Sequence, residues 1–368
     1  MSPGQGCDVP TGTRAASYCG AEVSRVRGQV GDGAPHRPAG ARGRRLFGGG
    51  SPRVLLYSIQ EGGAVQGTRE GSPGADGGRP HAVEDPGLFG PGSVTWELHA
   101  DPVMWVAGVR ALYLQALHPR AVRGVVQNSD FRKDPWGRLF RTADFVGVTT
   151  YGTRAEAERA GARVRRIHGF LRAVDPVTGQ SYRIDETALL RWVHCAEVIS
   201  YVEVVRRAGF PLTDAQVDTY LAEQRASAAL VGLAPDEVPA SATAMREYFE
   251  DVRPALGRSP EADQVWDFLR RPPVHPVLWL GRELIWRQLA ELAYGSLPSW
   301  AHGMYGHRAL PPFAVTTGLR LLRTTSLAVL PAARLAGFQS PHIKAAVERL
   351  GPDAAPSRPG FVSGLLAS

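Results

Sequence analysis

A small set of polar side chains stands where an apolar helical interior would exclude them. Arg110 lies mid-helix among Val106, Val109, Leu112, Tyr113 and Leu114. An unpaired charge there is costly, so it calls for a buried carboxylate or for an anionic ligand group such as a haem propionate. Arg138, Arg141 and Thr142 follow at i, i+3 and i+4, which share one helix face. Two guanidinium groups and a hydroxyl on one face can clamp an anion or line a polar pocket, or simply face water. His168 shares an apolar stripe with Val164 and Leu171, while Arg163, Arg165, Arg166 and Arg172 occupy the other faces. Such a histidine is a hydrogen-bonded core residue or a metal ligand, since neutral imidazole binds haem iron. His194 follows in Trp192-Val193-His194-Cys195, and His118 sits before Pro119; capping or supporting hydrogen bonds account for both. Arginine, threonine and histidine converging in a helical interior point to a buried anionic cofactor with a metal.

These residues need helices to position them, and the punctuation supplies helices. Asp101-Pro102 is an N-cap followed by proline at the first helical position. Val103 to Leu117 is apolar nearly all round, and His118-Pro119 ends that run. Asp185 is expected to cap a helix running to about Ala208, stopped by Gly209 and Pro211. Thr213 with Gln216 forms a capping box for a helix ending at Gly232. Further helices are expected over 241–252, 259–269, 277–294 and 313–335, the last kinked at Pro331. No stretch shows two-residue alternation bounded by hairpin turns. The reading is an all-α, single multi-helix domain over 86–345.

Residues 1–85 differ. They are rich in Gly, Arg, Pro and Ser without periodicity, and read as a disordered extension. Ten arginines against six acids in residues 1–80 carry four of the seven net positive charges. Arg44-Arg45 resembles a twin-arginine export signal, but glycines follow where an apolar stretch belongs. A cytoplasmic location is therefore the primary expectation, with twin-arginine export as the alternative. Residues 346–368 read as a flexible tail.

Composition narrows the function. The basic balance is almost all arginine, with only Lys133 and Lys344 as lysines, and no clustered basic stripe with aromatics marks a nucleic-acid site. Cys7, Cys19 and Cys195 are too few and too scattered for a disulfide framework or a zinc site. No apolar run reaches the ~20 residues of a transmembrane helix. No phosphate loop, dinucleotide fingerprint, H-E-x-x-H or G-x-S-x-G motif is present.

The ordered set of segments carries a resemblance. It comprises Phe89-Gly90-Pro91-Gly92-Ser93 with Trp96, Arg110-Ala111-Leu112 through Gln115-Ala116-Leu117-His118-Pro119, Arg138-Leu139-Phe140-Arg141-Thr142, His168, Trp192-Val193-His194 and Leu230-Val231-Gly232-Leu233. Together these resemble the MpaB-type oxygenase family, which includes latex-clearing rubber oxygenases and a fungal oxygenase of mycophenolic acid biosynthesis. The resemblance spans roughly residues 88 to 330. It implies an all-α fold around haem b, His168 as the iron ligand, and Arg138, Arg141 and Thr142 as pocket residues. Arg110 and His194 are read as further cofactor contacts. It also implies dioxygen and a hydrophobic, isoprenoid or lipid-like substrate. In rubber-cleaving members a lysine can occupy the position of Arg141 and close the iron's distal side. Arginine stays protonated and offers no lone pair, so Arg141 cannot be that ligand. The rival reading is a non-catalytic haem- or lipid-binding helical protein.

Overall fold

The protein is described here by a computed structural model over residues 84–129, 135–274, 276–335 and 340–356. Arg44-Arg45, Cys7, Cys19, Lys133, His275 and nearly all of the 1–85 segment lie outside the described residues.

Among the described residues the fold is all-α, with one small hairpin. Helices α1 (Val94–Leu98), α2 (Met104–Gln115), α3 (Pro119–Asn128), α4 (Pro135–Tyr151) and α5 (Arg154–Phe170) precede strands β1 (Arg172–Val174) and β2 (Ser181–Arg183). Helices α6 (Thr187–Arg207), α7 (Asp214–Glu223), α8 (Arg225–Val231), α9 (Ala242–Val252) and α10 (Pro260–Arg270) follow. A short α11 (Trp279–Gly281), α12 (Arg287–Gly295), α13 (Ser299–Tyr305), α14 (Pro312–Leu335) and α15 (Pro341–Leu350) complete the order.

The core is built on α2 and α6. Val106, Ala107, Val109, Tyr113 and Leu114 of α2 are at most 1% exposed, as an all-round apolar helix requires. They belong to one core cluster with Trp192, Cys195, Val202 and Val205 of α6. Polar groups lock the pair. The Trp192 indole N–H donates to the Gln115 carbonyl at 3.0 Å, and the Gln115 amide donates to the Val193 carbonyl at 3.0 Å. Cys195 is fully buried and unpaired, a small apolar filler.

Several helix ends follow the sequence. Thr213 and Gln216 form the expected capping box, Gly209 (φ +87°) lies in the left-handed region just after α6, and Pro331 lies inside α14. Thr153 and Glu156 make a second capping box that starts α5.

Other expectations are corrected. Asp185 does not cap α6. Glu186 holds that position, while Asp185 takes two hydrogen bonds from Arg183 at 2.7 and 2.5 Å. His118 belongs to the start of α3, where its Nδ1 accepts from the Ala121 N–H at 3.4 Å. It therefore meets an N-terminal dipole, and burial lowers its pKa. The hairpin pairs Ala173 with Tyr182. Each strand has three residues and one inward side chain, too short for an alternation signal. The expected helix over 277–294 is broken by a π-helical turn at Arg282–Trp286. The helix expected to end at Gly232 is divided at Gln224 into α7 and α8. Order also continues beyond residue 345, because α15 runs to Leu350 and the Trp96 indole N–H donates to the Ala354 carbonyl at 2.9 Å.

Candidate functional site

One face of α6 carries Leu190, Val193, His194, Glu197, Val198 and Tyr201, at i, i+3, i+4, i+7, i+8 and i+11. These residues line a cavity of about 90 Å³. Phe145, Val146 and Thr149 of α4 and His168 of α5 form the facing wall. Ser227 and Val231 of α8 add to the lining, with His99 and Gln224.

Local chemistry fixes the facing wall. Gly152 and the Thr153 capping box let α5 turn back from α4. Gly161 then lets α5 lie close against α8, since a Cβ there would sit 2.6 Å from the Leu230 carbonyl oxygen. The Arg165 guanidinium donates to that same carbonyl at 2.5 Å.

The cavity gathers imidazoles from distant parts of the chain. His168 is half-buried, and its Nδ1 is sealed from solvent without a hydrogen-bond partner. Burial lowers its pKa, the Asp185 carboxylate raises it by less, and the Arg138 guanidinium lowers it further. His194 is buried; its Nε2 has no partner, and burial pushes its pKa down to about 4. Both rings are therefore neutral at pH 7 and each carries an uncommitted nitrogen, the state in which imidazole binds a metal. His99 is different: its Nδ1 lies 2.8 Å from Thr150 Oγ1 and its Nε2 lies 3.0 Å from Tyr220 Oη.

The remaining expected residues divide. Arg138 is half-buried and close enough to His168 to depress its basicity; burial and then Arg141 lower its own pKa. Arg138 and Thr142 continue the α4 stripe of Phe145 and Thr149 toward the helix start, beyond the cavity lining. Thr142 is exposed, and its hydroxyl donates to the Arg138 carbonyl at 3.1 Å. Arg141 is also exposed. Arg110 stands apart: it is 3% exposed but does not line the cavity. Its Nη1 donates to Ser200 Oγ at 2.7 Å and its Nε to the Ser296 carbonyl at 3.2 Å, so neutral oxygens take the place of the expected buried carboxylate.

Sequence reasoning missed His99, Glu197 and Tyr201. The signal for the last two was present in the spacing of the His194 face of α6. His99 could not be found this way, because its helix is one turn long.

Among the described residues no cluster of three metal-binding side chains occurs. An iron held by a porphyrin needs only one or two protein ligands, so the neutral imidazoles fit such a group. No described helix is long and apolar enough to cross a membrane.

Comparison with known proteins matches residues 96–328 to the family described as "ER-bound oxygenase mpaB/B'/Rubber oxygenase, catalytic domain". The search of curated proteins found no match. The search of solved structures found none either. The family match covers well over half of the chain, so the protein belongs to this family of oxygenase catalytic domains.

Proposed function

We propose, from that membership, that the protein is a haem b-dependent oxygenase acting with dioxygen on a hydrophobic, isoprenoid or lipid-like small molecule. The observation that carries this reading is the pairing of two neutral imidazoles, His168 and His194, with unpartnered ring nitrogens in one apolar-walled cavity. Haem, when bound, would supply the activation of dioxygen.

The chain's own residues would do the rest. His168 would hold the iron, with the Asp185 carboxylate nearby to support its basicity. His194 would contact the cofactor from α6. Arg138, Arg141 and Thr142 would set the polarity of the α4 side, and Arg141 can only donate hydrogen bonds there. Phe145, Val193, Val198 and Val231 would exclude water and hold an apolar substrate. Seating a porphyrin would require the cavity to widen, and the start of α4 is half-exposed to exposed.

The test is an absorption spectrum with iron quantitation on purified protein. A haem band is expected, and His168→Ala should remove it while leaving the helical circular dichroism intact. A folded protein that stays colourless and iron-free after haem reconstitution overturns the assignment. Oxygen uptake with isoprenoid substrates separates an oxygenase from a haem carrier, which would bind haem and consume no oxygen.

A further inference from the structure

Glu197 supplies the only carboxyl group among the residues that line the cavity, and this group has an unusual setting. Its Oε1 accepts a hydrogen bond from the Tyr201 hydroxyl at 2.6 Å. That bond uses the only proton Tyr201 can give. Tyr201 is itself held edge-on against His99, with ring centroids 5.3 Å apart at 84°. Among the described residues the Tyr201 hydroxyl is the one hydrogen-bond partner of this carboxyl group, and no cation acts on it. Burial raises the Glu197 pKa, and no cation lowers it. A carboxyl group in an apolar cavity without a cation is costly unless something hydrogen-bonds to it. Glu197 is half-buried on the cavity wall, which leaves Oε2 for a ligand to engage.

We propose that the cavity takes an apolar molecule ending in a hydroxyl group, and that Glu197, braced by Tyr201, selects for that hydroxyl. This rests on reading the cavity as the substrate site. A hydroxyl both donates and accepts, so it pairs with Glu197 whether the carboxyl is ionised or protonated. An ammonium group would require the ionised form. The apolar body would lie against Phe145, Val193 and Val231. Tyr201 is a positioning residue, holding the carboxyl so that Oε2 stays turned to the ligand.

The test is calorimetric titration of the purified full-length protein with citronellol, its hydrocarbon counterpart 2,6-dimethyl-2-octene, and citronellylamine. The alcohol is expected to bind at least about tenfold tighter than the hydrocarbon, the order of one hydrogen bond to a carboxyl group. Glu197→Leu, whose fold is checked by circular dichroism and Tm, should erase that preference by weakening only the alcohol. Glu197→Gln should keep most of it. Equal affinity for alcohol and hydrocarbon, a preference that survives Glu197→Leu, or no binding of either overturns the proposal. Tighter binding of the amine than of the alcohol overturns the choice of hydroxyl. Haem content is read on the same samples. A haem-loaded protein without hydroxyl preference sinks this inference alone, whereas a haem-free protein with a Glu197-dependent preference sinks the oxygenase reading alone.

Discussion

At the residue scale, the imidazoles of the site differ in what they are free to do. His168 and His194 each keep an uncommitted nitrogen, whereas both nitrogens of His99 are engaged by hydroxyl groups. His99 is thus a structural residue in the cavity wall, and its burial gives a pH signature. Burial holds its pKa down to about 3 in the folded protein, against about 6.5 when unfolded. Between these values the unfolded chain binds a proton that the folded chain does not. Its contribution to stability is therefore complete above about pH 6.5 and is lost as pH falls toward 3. Urea unfolding at a series of pH values should show a shallower slope across that window for His99→Gln than for the wild type. Identical slopes would contradict a neutral, enclosed His99.

At the element scale, the cavity exists because α4 and α5 are held across from one face of α6. One close constraint is the contact of α5 with α8 at Gly161, where a Cβ would stand 2.6 Å from the Leu230 carbonyl oxygen. Gly161→Ala would force the two helices apart and strain the Arg165 hydrogen bond to the same carbonyl. Overpacking of this kind costs about 1–3 kcal/mol. The expected readout is a lower urea midpoint at unchanged m-value. An unchanged midpoint would mean that α5 and α8 separate freely. The helix faces themselves were legible: α6 and α4 each present residues to the cavity at helical spacing. What spacing could not reveal was the break at Gln224 or the π-helical turn at Arg282–Trp286, because both follow from packing on neighbours.

At the scale of the whole molecule, ties between distant segments hold the helices in register. Asp101, just before α2, accepts a hydrogen bond from Arg323 Nε of α14 at 2.7 Å, with both side chains under 10% exposed. Arg323 also donates to the Gly209 carbonyl at 3.2 Å, which joins the end of α6 to the same knot. Removing one partner leaves a buried charge uncompensated and costs about 3–5 kcal/mol. Asp101→Ala should therefore lower the calorimetric Tm markedly. The double change of Asp101→Leu with Arg323→Leu should cost less than Asp101→Ala alone, because no lone charge is then left inside. If the double variant proves the worse of the two, the pair supplies net attraction beyond mutual compensation.

The sequence by itself determined the helical class, the bounds of a few helices such as α9, α10 and α14, the burial of α2 and the presence of imidazoles on helical faces. These are local properties, written in periodicity, caps and breakers that act over a few residues. Only the tertiary structure decided which of those faces meet. It brought His99, His168 and the α6 face bearing His194 and Glu197 to one cavity from separate parts of the chain. It also took Arg110 away from that cavity and gave it the Ser200 hydroxyl and the Ser296 carbonyl instead. A buried arginine needs oxygen partners, and its neighbours in sequence cannot say whether a carboxylate, a ligand or a carbonyl from 186 residues away will provide them.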